Sequence, residues 1–171
     1  SHGIDIRAAP EPLIVGAVPG RGMNLDLAGA VRESALVVIT VTQPAGGGIG
    51  TARGIAHAYG VFATGGHELG LRKETLDLLA APAVPPLRGF YDECLKGEVQ
   101  FSLGFMKPSE NWRFGGARSF GSPGTGGALG FADPDAEIGY GYVTSQMGMT
   151  FTGDPRDVAL REALYSALHI S

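Results

Sequence analysis

Glycine is concentrated in short clusters along this chain, and these clusters constrain its fold more than any other feature. The sequence has 28 glycines among 171 residues, about twice the average usage of roughly 7%. They occur in stretches such as AGGGIG, ATGG and FGGARSFGSPGTGGALG, with no fixed period. Because glycine permits tight turns and close contact between backbones, each cluster predicts a turn or a place where another element approaches.

The densest cluster, SFGSPGTGGALGFADP from Ser119 to Pro134, could cradle a phosphate, close a hairpin or line a reaction site. A P-loop would end in Gly-Lys-Ser/Thr, and a dinucleotide loop would lead into a helix. This tract has no lysine and runs into a predicted strand. The segment GGGIGTARG opens a predicted helix, but it lacks a regular strand before it and an acidic residue about 20 positions later. We therefore expect no nucleotide and no other cofactor.

Charge and hydropathy exclude two further classes. The net charge is −4 and no basic run occurs, so nucleic-acid binding is not expected. The longest apolar run, ALVVITV at 35–41, is too short to span a bilayer. Cys94 is the only cysteine, so an internal disulfide is impossible, and its acidic neighbours predict a buried or bystander thiol.

Four helices are predicted. One short helix is expected over 23–33, and a second begins after Thr51, which is a good N-cap, and ends at Gly65-Gly66. A third covers RKETLDLLAAP and ends at Pro82. The fourth begins at Asp154-Pro155, and its predicted apolar stripe comprises Val158, Leu160, Ala163, Leu164 and Leu168.

Strands are predicted in the second half of the chain. The segment EVQFSLGFM alternates, which predicts one strand with Val99, Phe101, Leu103 and Phe105 on one face. GALGFADP and EIGYGYVTSQM follow as further strands, joined by the turn-forming DPDAE. We therefore predict an α+β fold with a C-terminal three-strand antiparallel meander and flanking helices. The expected organisation is an irregular lead-in over 1–43, a helical segment over 44–97, and strands with a helix over 98–171.

Common catalytic motifs are absent from the sequence. Neither Gly-x-Ser-x-Gly nor Ser-x-x-Lys occurs, and no tyrosine is followed two positions later by Asn or Ser. The four histidines show no zinc-binding spacing, so no metal site is expected.

Several segments, taken in order, resemble one family. FGSPGTGGALGFADPDAEIGYGYVTSQMG (120–148) resembles the C-terminal strands of serine β-lactamase-like hydrolases, especially family VIII carboxylesterases and class C β-lactamase homologues. PAGGGIGTARGIAHAYGVFATGG is similar to the family's Gly-x-x-Gly-Thr-Ala-Arg segment and the helix after it. DPR…ALREALYSAL is similar to its C-terminal helix. The resemblance covers roughly residues 44–169, and full members are about twice as long as this chain.

The resemblance implies that this chain is the C-terminal part of such an enzyme and carries only its third motif. The backbone N–H of Thr125 would be the oxyanion donor, and Gly124 would let substrate lie close to the strand. Ser122 and Pro123 occupy the first two motif positions, and Gly126 follows the donor. Ser122 replaces the usual Lys, His or Trp and has no positive charge, which favours neutral esters over β-lactams. The alternative reading is a non-catalytic, penicillin-binding-like binding protein.

The same resemblance implies partners. The substrate would be a small ester or amide, and the nucleophile would come from the N-terminal half of the same enzyme or from a second chain. In the family, first-half strands and the N-terminal helix cover the last strand and the last helix. We therefore expect the strand over 138–147 and the last helix to take part in a dimer or in another association.

We predict that the 171-residue chain alone does not hydrolyse p-nitrophenyl esters above background. None of its serines has a lysine at the one-turn spacing that would deprotonate the hydroxyl. The measurement is ester turnover by a species of verified intact mass. Steady turnover that a serine-directed phosphonate abolishes would contradict the prediction.

Overall fold

The computed structural model describes residues 50–168. The predicted helix over 23–33, the apolar segment that follows it and the irregular lead-in lie outside this range. Three α-helices, one 3-10 turn and seven β-strands make up the described part. It is therefore an α+β structure with antiparallel sheets, as predicted.

The first helix, α1, spans Ala52–Ala63 and confirms the prediction made from its cap. The Thr51 hydroxyl accepts a hydrogen bond from the Gly54 N–H at 2.9 Å, which satisfies one of the unpaired donors at the helix start. At the other end, Gly65 and Gly66 have φ of +96° and +68°. These left-handed conformations stop the helix and lead into the 3-10 turn His67–Leu69.

The second helix, α2, spans Lys73–Ala80 and ends just before Pro82, as predicted. Lys107 comes from a distant part of the chain and donates a hydrogen bond from Nζ to the Leu79 carbonyl. A cation at this position complements the negative end of the helix dipole. Its burial lowers the pKa of Lys107 to about 8. None of the described helices is long and apolar enough to cross a membrane.

The strands form two antiparallel sheets. β1 (Tyr91–Asp92) and β2 (Gly97–Glu98) pair as a small hairpin at the boundary between the expected helical segment over 44–97 and the strands that follow it. The main sheet has the order β3-β4-β5-β6-β7. Its strands are β3 Phe101–Ser102, β4 Phe105–Met106, β5 Phe120–Gly124, β6 Ala128–Asp133 and β7 Ile138–Tyr142. The last two strands of the predicted meander are therefore confirmed as β6 and β7, which pair with each other. The strand over 98–106 does not adjoin them, because β5 lies between β4 and β6.

The prediction of one continuous strand over 98–106 is wrong. The chain reverses at Leu103-Gly104, where φ is +50° and +86°, and β3 pairs back onto β4 with Phe101 opposite Met106. Positive φ at both central residues is the requirement of a two-residue hairpin turn that matches strand twist. Leu103 is therefore an exposed turn residue and not part of an apolar strand face.

The main sheet packs on both faces. One face holds Phe120 and Ala132, against α1 and α2. The other face holds Leu129, Phe131 and Tyr140, against Trp112, Phe114 and the last helix. The Phe131 and Tyr140 rings stack with centroids 4.9 Å apart. The sheet is therefore the middle layer of the described part.

Helix α1 lies almost directly on the glycines of β7. A Cβ atom built on Gly139 would lie 2.1 Å from the Gly60 nitrogen and 2.3 Å from the Ala56 oxygen. A Cβ on Gly141 would lie 2.5 Å from the Ala52 oxygen. The alternation IGYGY therefore puts the aromatic residues on one face and leaves the other face bare for a helix backbone.

The last helix, α3, spans Pro155–Ala167 with Asp154 as its N-cap, but its predicted apolar stripe is wrong in part. Leu160 and Leu168 are about half exposed, at 50% and 48%. Asp157 and Arg161 are buried instead, because they form an ion pair at 2.9 Å that faces the sheet. The strand over 138–147 is also shorter than predicted, because β7 ends at Tyr142 and a loop follows.

We predict that Gly139→Ala lowers the free energy of unfolding by about 1–3 kcal/mol, because the new methyl group would overlap the backbone of α1. Gly60→Ala is the matched control on the helix side of the same contact. A Cβ there meets only the Gly139 Cα, at 3.9 Å, so this change should be neutral or should stabilise by up to about 1 kcal/mol. Urea unfolding followed by circular dichroism measures both changes, and equal effects would refute the close-contact argument.

Candidate active site

The open edge of β5 is the feature on which the candidate site is built. Toward β6, Ser122, Pro123 and Gly124 lie opposite Gly130, Leu129 and Ala128. Toward β4, only Gly121 has a partner, Met106. Among residues 50–168, the outer edge of Ser122–Gly124 is therefore unpaired, and Pro123 brings no N–H to it. An unpaired strand edge offers its carbonyl groups and its remaining N–H groups to another molecule.

The predicted site residues follow one another along this edge into a tight turn. The Ser122 side chain is exposed, while Pro123 and Gly124 are half-buried. Thr125 is half-buried and begins the turn, and Gly126 is buried. Within the part of the chain that the structure describes, no turn or loop hydrogen bond has the Thr125 N–H as donor. Its role as an oxyanion donor stays a prediction.

The segment that leads to α3 packs against the β5–β6 turn and holds it in place. Gly126 and Gly127 have φ of +91° and +99°, and the Gly148 N–H donates to the Gly126 carbonyl at 2.8 Å. A Cβ on Gly126 would lie 2.8 Å from the Met147 side chain, and one on Gly127 would lie 2.4 Å from Asp154. Glycine is thus required here for backbone conformation and for space.

Asp154 couples this turn to the start of α3. Its carboxylate accepts hydrogen bonds from the Arg156 N–H at 3.0 Å, from Nε at 2.9 Å and from Nη2 at 2.7 Å. The Arg156 guanidinium also donates to the Gln146 carbonyl. These hydrogen bonds from Arg156 lower the pKa of Asp154 to about 2. The carboxylate therefore stays ionised beside Gly127, although its residue is only 3% exposed.

Asp133 of the FADP segment has a structural role that the sequence analysis did not assign. Its carboxylate accepts hydrogen bonds from the Gly116 N–H at 2.7 Å and from the Tyr165 hydroxyl at 2.5 Å. It also accepts from the Asp135 N–H at 3.1 Å, which is the local bond by which aspartate fixes a turn. The Asp-Pro-Asp sequence signalled that turn, whereas only the fold brings Tyr165 and Gly116 to it.

A second buried network was also missed. The Tyr140 hydroxyl donates to Asp157 at 2.9 Å, and Arg161 donates to the other Asp157 oxygen and to the Arg113 carbonyl. Burial and the adjacent Asp157 carboxylate raise the pKa of Tyr140. A phenol held neutral and bonded to a carboxylate ties α3 to β7, so these groups support the fold of the sheet.

Among the candidates that fall within residues 50–168, no further catalytic cluster is found. His57 pairs with Glu68 at 3.1 Å on an exposed surface, while His2 and His169 lie outside the described residues. Cys94 is exposed, so the prediction that its thiol is buried is wrong, and the alternative of a bystander thiol stays a prediction. Residues 50–168 contain no group of three side chains that could hold a metal ion.

Comparison with known proteins gives relatives in sequence and in structure, although no family model matches the chain. The esterase/β-lactamase LipL of Mycobacterium tuberculosis is 30% identical over 128 residues, which cover 74% of this chain and 29% of that protein. The crystal structure of a family VIII carboxylesterase matches with a TM-score of 0.62 and 28% identity, over 77% of this chain and 37% of that one. A penicillin-binding protein homologue from Caulobacter crescentus matches with a TM-score of 0.64 and 31% identity, over 74% and 34%. The chain thus spans about a third of the length of the proteins it matches.

We predict that the stabilising effect of Asp154 is lost in acid. Because its pKa falls on folding, from the usual value near 4 to about 2, the contribution is complete above about pH 4 and disappears as pH falls through 2. Thermal unfolding of the native chain and of Asp154→Asn should differ at pH 6 and converge near pH 2. Asp135→Asn, which removes a half-exposed pair with Arg118, is the control and should change little. A difference that persists at pH 2 would contradict the prediction.

Proposed function

Because this chain matches about a third of the length of esterase and β-lactamase-like proteins in sequence and fold, we propose that it is the C-terminal part of a serine β-lactamase-like hydrolase and completes the active site of a carboxylesterase-type acyl hydrolase. Its relatives are esterase and β-lactamase-like hydrolases. We propose further that this chain takes part in ester hydrolysis at the β5 edge. The observation that carries it is the unpaired edge of Ser122–Gly124, which leads directly into the Thr125 N–H.

The chemistry of acyl transfer needs what this edge offers. Attack on an ester carbonyl creates a negatively charged oxygen, and a fixed backbone N–H can stabilise that charge without reorganisation. Gly124 has no side chain, so a substrate can lie against the strand at this point. The Thr125 N–H is held by a turn whose glycines, Gly126 and Gly127, pack against Met147 and Asp154. A donor in so constrained a turn suits transition-state stabilisation.

The type of substrate follows from Ser122. A serine at the first motif position carries no charge that could attract a carboxylate, and Pro123 beside it is apolar. We therefore assign a neutral ester in preference to a β-lactam or a peptide carboxylate. Ser122 Oγ lies 3.4 Å from the Pro123 carbonyl, a long contact that leaves the hydroxyl able to turn toward a ligand.

The nucleophile must come from elsewhere. Because Ser-x-x-Lys is absent from the 171 residues, the proposal requires a segment that carries a serine with its activating lysine. That segment would be the N-terminal half of the same enzyme or a second chain. If no such segment accompanies this chain, the alternative is a binding protein that uses the same edge without catalysis.

We predict that Thr125→Pro, in the complete enzyme, lowers kcat for ester hydrolysis by about 100- to 1,000-fold, because it removes one oxyanion donor. Thr125→Ala is the matched control and should keep most of the activity, since only the backbone donates. Circular dichroism and unfolding temperature show whether the proline variant is folded. A folded Thr125→Pro enzyme with near-normal turnover, or equal losses in both variants, would overturn the assignment.

A further inference from the structure

Arg156 binds two separate groups of the chain with one guanidinium, although its side chain is 47% exposed. Its Nε and Nη2 donate to the two carboxylate oxygens of Asp154 at 2.9 and 2.7 Å, and its Nη1 donates to the Gln146 carbonyl at 3.0 Å. Most exposed ion pairs add little stability, but a bidentate pair fixes the geometry of both partners. The arrangement therefore suits a residue that sets the positions of other groups.

The first partner of Arg156 packs against the second glycine of the β5–β6 turn. A Cβ atom on Gly127 would overlap the Asp154 carboxylate, and one on Gly148 would lie 2.8 Å from the same group. The carboxylate thus fills the space between the turn and Gly148. Because Arg156 holds both of its oxygens, the carboxylate cannot rotate without breaking a hydrogen bond.

The second partner, the Gln146 carbonyl, belongs to a segment that contacts the other glycine of the turn. The Gly148 N–H donates to the Gly126 carbonyl at 2.8 Å, and the Met147 side chain occupies the space beside Gly126. Because Gln146 adjoins Met147 in the chain, Arg156 restrains this segment just where it reaches the turn. One guanidinium therefore holds both groups of contacts that support the turn.

The closure of this turn sets the direction of the Thr125 N–H. The Gly127 N–H donates to the Gly124 carbonyl at 3.2 Å. The Gly124 carbonyl and the Thr125 N–H belong to one peptide group, and in a planar trans peptide the two point in opposite directions. The Thr125 N–H therefore points out of the turn while the carbonyl points into it, and its direction depends on where Gly127 is held.

We propose that Arg156 is a positioning residue for acyl transfer, an inference that rests on the proposed function of the β5 edge. It acts through Asp154 and the Gln146 carbonyl, which hold the β5–β6 turn and so orient the Thr125 N–H. An oxyanion donor must lie at hydrogen-bond distance from the oxygen that becomes charged. Because a displacement of about 1 Å can lower the rate about 100-fold, Arg156 influences turnover although it is not part of the β5 edge.

Amide hydrogen exchange in the 171-residue chain tests whether Arg156 holds the turn. Arg156→Ala should accelerate exchange at the Gly127 and Gly148 amides about tenfold, the effect of losing about one hydrogen bond. The Phe131 amide in β6 should change less than about twofold, whereas a general loss of stability would accelerate all three. Arg118→Ala is the matched control, because Arg118 is also 47% exposed and pairs with other carboxylates. Unchanged exchange at both glycines in Arg156→Ala would overturn the proposal.

Turnover in the complete enzyme tests whether this support matters for catalysis. Arg156→Ala should lower kcat for ester hydrolysis about 10- to 100-fold, with KM changed less than about twofold, because the transition state loses a well-placed donor while substrate binding is kept. Arg118→Ala should keep the rate.

A second variant keeps the test valid if Arg156→Ala is unstable. Arg156→Lys retains the charge but lacks the planar fork that holds both Asp154 oxygens, so it should recover little of the rate. Near-normal kcat in Arg156→Lys, or a rise in KM at unchanged kcat in Arg156→Ala, would refute the positioning role. Equal losses in Arg156→Ala and Arg118→Ala would also refute it.

The two proposals fail separately. Full turnover in Thr125→Pro would refute the oxyanion assignment and with it the role of Arg156 in turnover, even if exchange at Gly127 and Gly148 is faster in Arg156→Ala. Loss of turnover in Thr125→Pro, with unchanged exchange and unchanged kcat in Arg156→Ala, would refute the positioning role alone.

Discussion

The backbone contact between α1 and β7 is the constraint on which the described structure depends. Gly139 and Gly141 leave one face of the strand bare, so the helix lies against the strand backbone, closer than side chains would allow. On the next strand, Gly130 leaves room in the same way for Tyr59 and Ile55. This close packing sets the position of the sheet against the helix, and the other layers follow from it. Phe120 then packs under α1 and α2, and Phe131 packs on the opposite face.

The candidate site inherits its geometry from a second set of contacts, around the β5–β6 turn. The β5–β6 turn would be mobile if it depended on its glycines alone, since Gly126 and Gly127 adopt many conformations. It is held because the Gly148 N–H bonds to it and because Asp154 packs under it. Asp154 is also the N-cap of α3. One ionised carboxylate therefore links the start of a helix to the turn that offers the Thr125 N–H.

Buried polar groups explain why α3 lies as it does. A helix with an apolar stripe would turn its leucines toward the sheet, yet Leu160 is half exposed while Asp157 and Arg161 are buried. Each of these charges is paired and hydrogen-bonded, to the other and to Tyr140 or a backbone carbonyl, as a buried charge requires. Such networks constrain the orientation of the helix as well as adding stability, because each donor must lie within hydrogen-bond distance of its acceptor. Together with the Asp133–Tyr165 bond, they fix the rotation of α3 about its own axis.

The sequence by itself determined the features that depend on neighbouring residues. Thr51 and Asp154 cap helices through bonds within three residues, and the alternation in β6 and β7 assigns side chains to two faces. The resemblance to esterases and β-lactamases also came from local motifs. Only the tertiary structure decided the reversal at Leu103-Gly104, the open edge of β5 and the inward charges of α3. These features depend on residues far apart in the chain or, at the reversal, on which strand is available as a pairing partner. A periodic pattern shows which face of a helix or strand is apolar, but it does not show which other element will pack against that face.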